Sequence, residues 1–308
     1  MIVLRRSGKE GRRKKGNKDL KTYLDCLPCL LNQALRAVRE VTDDEMVQRQ
    51  VINAVAKIIP DLPLDLKPPE LARQAYRIIA EITGSKDPFR RAKEEANRAV
   101  LAIYPRLQKM VQDSEDRLLT ACRLAIVGNS MDLGPRFDYG GIESLIDIAM
   151  SQIPLAINEY DRFRESLNNC QRIVYLGDNA GEIVFDRLFI EEISHVRKLE
   201  ITFVVRDSPV INDVTMDDAL AVGLDRITGV VSNGSDAPAT ILHECSLQTQ
   251  QLYRSADMII SKGQGNYESL EGEAGNIFFL LRVKCPLVAR SLGVNVGDCV
   301  LRQQLNNV

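Results

Sequence analysis

The chain has no tryptophan, only two histidines among its 308 residues, and an aromatic content of 5%. His195 falls in a charged connecting segment and His243 in "ILHECS", neither near the other, so neither a histidine-rich metal centre nor a Ser/His/Asp hydrolase is expected. No run approaches the roughly 18 apolar residues of a membrane span. The leading stretch "RRSGKEGRRKKGNK" lacks the apolar segment of a secretory signal, which sets the expectation of a cytoplasmic protein with no membrane association. Seven scattered cysteines, an odd number, do not form a disulfide framework in such a chain. Neither G-x-x-x-x-G-K-[ST] nor G-x-G-x-x-G occurs, so P-loop nucleotide hydrolysis and nicotinamide chemistry lose ground.

What is present is a globular composition, 45% hydrophobic and 27% charged. Residues 1–21 hold nine Lys/Arg against Glu10 and Asp19, while the whole chain sums to −2, so the body is acidic and only its arm basic. A solvated arm accounts for that charge, and nucleic acid is not the expected partner. From Leu20 to about Asn169 apolar residues recur at three and four, as in "LNQALRAVREV", "VINAVAKII", "LARQAYRIIAEI" and "RLLTACRLAIVGN", with breaks at "PDLPLDLKPP", "GSKDP", "YP" and "NSMDLGPRFDYGG". From Arg172 the character changes to short apolar runs, "RIVYLG", "LEITFVV", "RITGVV" and "ADMIIS", each followed by a turn and a helical pattern. That alternation predicts a Rossmann-like three-layer α/β/α domain with a mostly parallel sheet over 166–308, preceded by an α-helical region over 22–165.

Ligands of open parallel sheets bind beyond the carboxyl ends of the strands, so the residues just after each run carry the chemistry. The first is followed by "GDNAGEIVFD", in which Asp178 and Asn179 offer adjacent hard oxygen ligands suited to Mg²⁺ or Mn²⁺. A helix cap is the alternative reading of that pair. The second is followed by "RDSPVINDVT", where Asp213 lies one β-α-β step from Asp178 and Asp207 and Asn212 lie nearby. Two facing acids repel unless a cation or proton intervenes, which favours a metal on Asp178, Asn179 and Asp213. "SKGQGNYESLEG" follows the fourth, with Lys262 beside Gly263 and Gly265: an anion cradle, or a glycine turn with a solvated lysine. "SNGSDAPAT", with Asn233 and Asp236, would complete a polar rim.

Taken together, "GDNAGEIVFD", "RDSPVINDVT" and "SKGQGNYESL" resemble the damage-control phosphatase family, in its stand-alone prokaryotic branch, and the likeness runs from "CLPC" at Cys26 to "KCPLVARSLGV". The resemblance implies a divalent metal (Mg²⁺, Mn²⁺, Co²⁺ or Ni²⁺) on Asp178, Asn179 and Asp213, and a phosphate contact by Lys262. Asp178, Glu182 and Lys262 are then the expected catalytic residues, Glu182 orienting water, with Gly263, Asn266 and Asn129 joining Lys262 around a small phosphorylated metabolite. Cys26 and Cys29 match that branch's Cys-x-x-Cys; zinc held by the pair with Cys285 as third ligand, or a merely reduced pair, are both open. Asn129 and Asp132, with Asp87 and Asn97, are expected to reach the cleft from the helical side. Two rival functions are a carboxyl methyltransferase using S-adenosylmethionine, which wants glycines where Asp178 and Asn179 stand, and a metal or phosphate sensor without turnover.

Overall fold

The computed structural model describes residues 20–129 and 154–306. Most of the basic arm and the "SMDLGPRFDYGG" segment with Asp132 lie outside the described residues. Five helices come first: α1 (Cys26–Val41), α2 (Glu45–Ile58), α3 (Pro68–Thr83), α4 (Arg90–Gln112) and α5 (Arg117–Gly128). Asp44 and Asp116 cap α2 and α5 by accepting backbone N–H bonds, and Gly84 ends α3 in the left-handed conformation. The expected break at "YP" does not occur. Pro105 lies inside α4, where it forfeits one backbone hydrogen bond, and buried Tyr104, Leu107 and Val111 hold the helix against the core.

The remaining chain alternates β1 (Leu155–Asn158), α6 (Tyr160–Asn169), β2 (Arg172–Leu176), α7 (Glu182–Val196), β3 (Glu200–Val205), α8 (Met216–Ala221), β4 (Gly229–Ser232), α9 (Leu247–Ser255), β5 (Met258–Lys262), α10 (Gly263–Leu270), β6 (Gly275–Arg282), α11 (Pro286–Leu292) and β7 (Cys299–Asn306). The seven strands form one sheet in the order β1-β7-β6-β5-β2-β3-β4, parallel except for the β6–β7 pair. β1 joins that sheet from before residue 166, and β6 and β7 extend it beyond the four strands read from sequence.

Side chains alternate across the strands. Tyr175, Phe203, Ile260 and Phe278 face a core built with α4, α5, α6 and α7, whereas Leu176, Val204, Ile259 and Phe279 face a second core with α9, α10 and α11. That makes three layers. The helices α1–α3 close a third apolar cluster of their own, into which, among the described residues, only Val210 and Ile211 reach from the sheet half, so this layer sits above the strand ends. β2 and β5 are neighbours although chain order runs from β2 to β3, which makes the β2/β5 carboxyl ends the switch point where a crevice opens.

Candidate active site

The loop after β2 and the loop after β3 are joined by backbone bonds. Val214 N donates to Asp178 O at 2.8 Å, Ala180 N donates to Asn212 O at 2.9 Å, and Asn179 and Asp213 form an antiparallel bridge. This stitching brings Asp178, Asn179 and Asp213 together on the wall of a cleft of about 560 Å³, shared with the helical layer. The pair does not cap α7. Gly181 is the N-cap residue, with φ +77°, and its N–H is taken by Asn97 Oδ1 at 2.6 Å.

Each of the three residues has one side of its head group committed. Asp178 Oδ2 accepts from Asn129 Nδ2 at 2.9 Å and from Asn179 Nδ2 at 2.6 Å. Asn179 Nδ2 also donates to Glu182 Oε2 at 3.0 Å, which fixes the amide with its oxygen away from these acids. Asp213 Oδ2 accepts from Arg206 Nε at 2.7 Å and from Ala239 N at 3.1 Å. Oδ1 of Asp178, of Asn179 and of Asp213 have no hydrogen-bond partner among the described residues. Three hard oxygens on one cleft, oriented by a hydrogen-bonded layer behind them, are a donor set for a divalent cation. The charge balance agrees: Asp178, Glu182, Asp186 and Asp213 are all at most 8% exposed, against two fully buried cations, Lys262 and Arg206, with Lys284 on the cleft wall also acting on Asp178. Burial first, then Glu182 and Asp213, push the Asp178 carboxyl well above the ordinary carboxylate range. A cation relieves all three causes.

Lys262 and Glu182 are placed differently from the sequence expectation. Lys262 is fully buried, and its ammonium donates to Ala125 O at 3.0 Å, Glu182 Oε1 at 2.6 Å and Asp186 Oδ1 at 2.5 Å. With three donors and three acceptors, no N–H remains for a phosphate. Glu182, equally buried, accepts from Lys262 on one oxygen and from Asn129 and Asn179 on the other, so it orients Asn179 rather than a water in the cleft. Asn266 also lies inside: its Nδ2 donates to Gly177 O and Lys262 O, tying the ends of β2 and β5, and its Oδ1 accepts from Arg206. Asn129 donates to Asp178 and Glu182 and accepts from Arg282 N. These residues are the floor of the site.

Gly263 stands at the first position of α10 with φ +78°, and a Cβ there would lie 1.8 Å from Asp178 Oδ2. Only glycine fits that approach. Asn97 and Asp87 also act from behind, Asn97 through Gly181 and Asp218, Asp87 through an ion pair with Lys93. Asp236 is turned away from the cleft, bonded to Arg77 at 2.6 Å, so the third loop contributes Pro238 and Ala239 to the wall and not its acid.

Two residues were missed by sequence reading. Arg206 holds Asp213, Thr240, Gly177 O and Asn266 together from full burial. Asp186 sits one turn beyond Glu182 on α7, takes Lys262 and the Tyr175 hydroxyl (2.6 Å) on Oδ1, and leaves Oδ2 buried without a partner among the described residues. Two like charges four apart on a buried helix face demand a cation, and that spacing was the available signal. Elsewhere Glu70, His243 and Glu244 cluster. Glu70 already accepts from Lys67 N at 2.7 Å, and Glu244 from both Nη atoms of Arg73 at 2.5 and 2.9 Å.

Comparison with known proteins places this geometry. Residues 22–300 match the profile of the damage-control phosphatase ARMT1-like domain. A damage-control phosphatase of Archaeoglobus fulgidus is 36% identical, over 90% of this chain and 97% of the relative. One from Pyrococcus horikoshii is 33% identical over 91% of this chain and 97% of its own. The crystal structure of a DUF89 family protein from P. horikoshii superposes with a TM-score of 0.83 at 29% identity, covering 92% of this chain and 99% of that one. With the matched profile spanning the strand-end loops that carry Asp178, Asn179, Asp213 and Gly263, the chain belongs to the damage-control phosphatase ARMT1-like family.

Proposed function

We propose that the chain is a metal-dependent phosphomonoesterase of the cytoplasm acting on small phosphate esters, such as sugar phosphates or damaged phosphometabolites. The observation that carries this reading is the set of three oxygens without a partner among the described residues, from Asp178, Asn179 and Asp213, beside the N-terminus of α10. Asp178, Asn179 and Asp213 would hold Mg²⁺, Mn²⁺, Co²⁺ or Ni²⁺. When bound, such a cation supplies Lewis-acid charge to a phosphoryl oxygen.

The chain's own groups do the positioning. α10 begins at Gly263 without a side-chain cap, so its first N–H groups and the positive end of its dipole are available to a phosphate oxygen. Asn212, 3% exposed, lines the cleft with its Nδ2 buried and without an acceptor among the described residues. Lys262 neutralises Glu182 and Asp186 beneath the site and thereby keeps the carboxylates of the floor from repelling substrate. Tyr76 and Phe89 of the helical layer, with Ile211 from the loop after β3, give the cleft apolar surface for the organic part of the ester. A methyltransferase reading gains nothing here, because Asp178 and Asn179 occupy the turn after β2 that would have to admit a cofactor.

The test is phosphate release from a panel of phosphate monoesters by chelator-treated protein, with each of the four cations added back. Turnover that depends on the cation is expected. Undiminished turnover in excess chelator, or no hydrolysis of any ester under any cation, overturns the reading.

A further inference from the structure

Beside the active-site cleft opens a second cavity of about 340 Å³, and Gln264 and Glu268 of α10 stand in the walls of both. Leu30 of α1, Leu71 and Ala72 of α3 and Leu287 of α11 give the second cavity apolar walls. Space of that size and lining suits the organic part of a small ligand, oriented by a few polar groups. Cys26, Cys29 and Cys285 line it too, but their sulfurs do not gather as metal ligands. Among the described residues only Glu70, His243 and Glu244 bring ligand atoms within 4.8 Å of one another.

Glu268 is the polar group that lacks a counterpart. It follows Gln264 by four residues on the same face of α10 and is 8% exposed. Gln264 Nε2 donates to its Oε1 at 2.9 Å, and Gln264 Oε1 accepts from Lys284 N at 2.8 Å, so the carboxyl is held in one orientation. Its Oε2 accepts from no donor among the described residues. No described cation balances it either. Burial lifts the carboxyl to about 7, opposed only by the Gln264 hydrogen bond; Arg290 and Lys284, which share these walls, do not offset it. The ionisable groups that feel it are the Cys26 and Cys285 thiols, which it raises. A carboxyl buried without a cation holds its proton up to neutral pH, and an arriving cation favours its charged form.

Position ties this carboxyl to the phosphate site. Glu268 lies five residues beyond Gly263, about 7.5 Å along the axis of α10 from the end offered to a phosphate. A ligand anchored at the head of the helix and lying along its cleft face meets Glu268 with its far end. Of the donors a small ester can carry, a hydroxyl fills the lone pair of Oε2 but leaves the charge unbalanced. An ammonium does both.

We propose that the second cavity receives the organic part of a phosphate ester bearing a primary ammonium group at its far end, with Glu268 as the specificity-determining carboxylate. The inference rests on the phosphomonoesterase reading of the cleft and narrows its substrates to amino-bearing esters. The ammonium donates to Glu268 Oε2, and the chain that carries it lies against Leu71, Ala72 and Leu287.

The experiment is calorimetric titration of Mn²⁺-loaded protein with three phosphonates that cannot be hydrolysed: aminohexylphosphonate, hydroxyhexylphosphonate and heptylphosphonate, equal in length and different only at the far end. The amine should bind at least about tenfold more tightly than either of the others. Glu268→Gln, of the same size without the charge, should remove that advantage. Equal affinity of the wild type for all three, or none for any, overturns the proposal, as does an advantage that Glu268→Gln retains. The wild-type comparison stands by itself, so a variant that fails to fold does not shelter the proposal. Hydrolysis of the matching aminopentyl, hydroxypentyl and hexyl phosphates separates the two readings. Turnover of these esters without the amine's advantage in binding overturns the ammonium pocket and keeps the phosphatase; the advantage without turnover of any ester supports the pocket and overturns the phosphatase.

Discussion

At the scale of single residues, Lys262 behaves as an interior counter-ion. Its ammonium is held charged by Asp186 and Glu182 despite the opposing effect of burial. Lys262→Ala leaves two buried carboxylates without a cation, and breaking such a pair costs about 3–5 kcal/mol. Urea denaturation of the variant should show that loss. A surface lysine that merely touched phosphate would leave stability unchanged and reduce turnover only. Two carboxylates share this one ammonium, and the excess acid resides on Asp186, which burial and Glu182 raise to about 7 against the pull of Lys262. A carboxyl raised in the folded state adds no penalty below its unfolded value of about 4, and its penalty grows until pH passes about 7. Wild-type stability should therefore carry a component that falls by roughly 3–4 kcal/mol between pH 4 and 7, absent from Asp186→Asn. Denaturation at pH 5 and pH 8 for both proteins measures the difference in slope; equal slopes contradict the assignment. Sequence singled out Asp178, Asn179 and Asp213 as candidate ligands because they follow strands one β-α-β step apart. It could not show depth: strand-end position says nothing about whether Glu182 and Lys262 turn toward the cleft or beneath it.

Among the elements, α10 does most to define the site. It starts directly from β5 with no intervening loop, so Gly263 must adopt φ +78° and pass against Asp178. Gly263→Ala forces Asp178 to move, since the added carbon would sit within 2.2 Å of two carboxylate atoms. Metal affinity should drop at least about tenfold while the secondary structure content stays that of the wild type. Calorimetric titration with Mn²⁺ alongside circular dichroism checks this, and unchanged affinity contradicts it. The four strands bounded by clear turns were readable as short apolar runs. β1, four residues long with alternating burial, offers too little pattern to detect. β7, "CVLRQQLN", carries polar residues because it lies next to the sheet edge, paired antiparallel with β6. Pro105 misled in the opposite direction: a breaker by propensity, it is overridden by the apolar face of α4 packed on α5 and α7.

The whole molecule joins a helical layer to a doubly covered sheet, and the cleft lies where the two meet. The change of pattern near Arg172 announced the sheet but not the membership of α4 and α5, whose periodicity matches that of α1–α3 even though they pack with α7 in the core beneath the strands. A helix's period tells which face is buried and leaves open against what. Ion pairs such as Arg73–Glu244 and Arg77–Asp236 fasten the layer across the junction. The central claim is that the acids at this junction hold a divalent cation on which activity depends. The direct measurement is Mn²⁺ affinity by calorimetry, with apo-protein denaturation, for wild type and Asp213→Asn. The variant should bind Mn²⁺ at least about tenfold more weakly while its apo form melts no lower than the wild type, because one of two facing acids has gone. Wild-type affinity in Asp213→Asn, with turnover intact, would contradict the account.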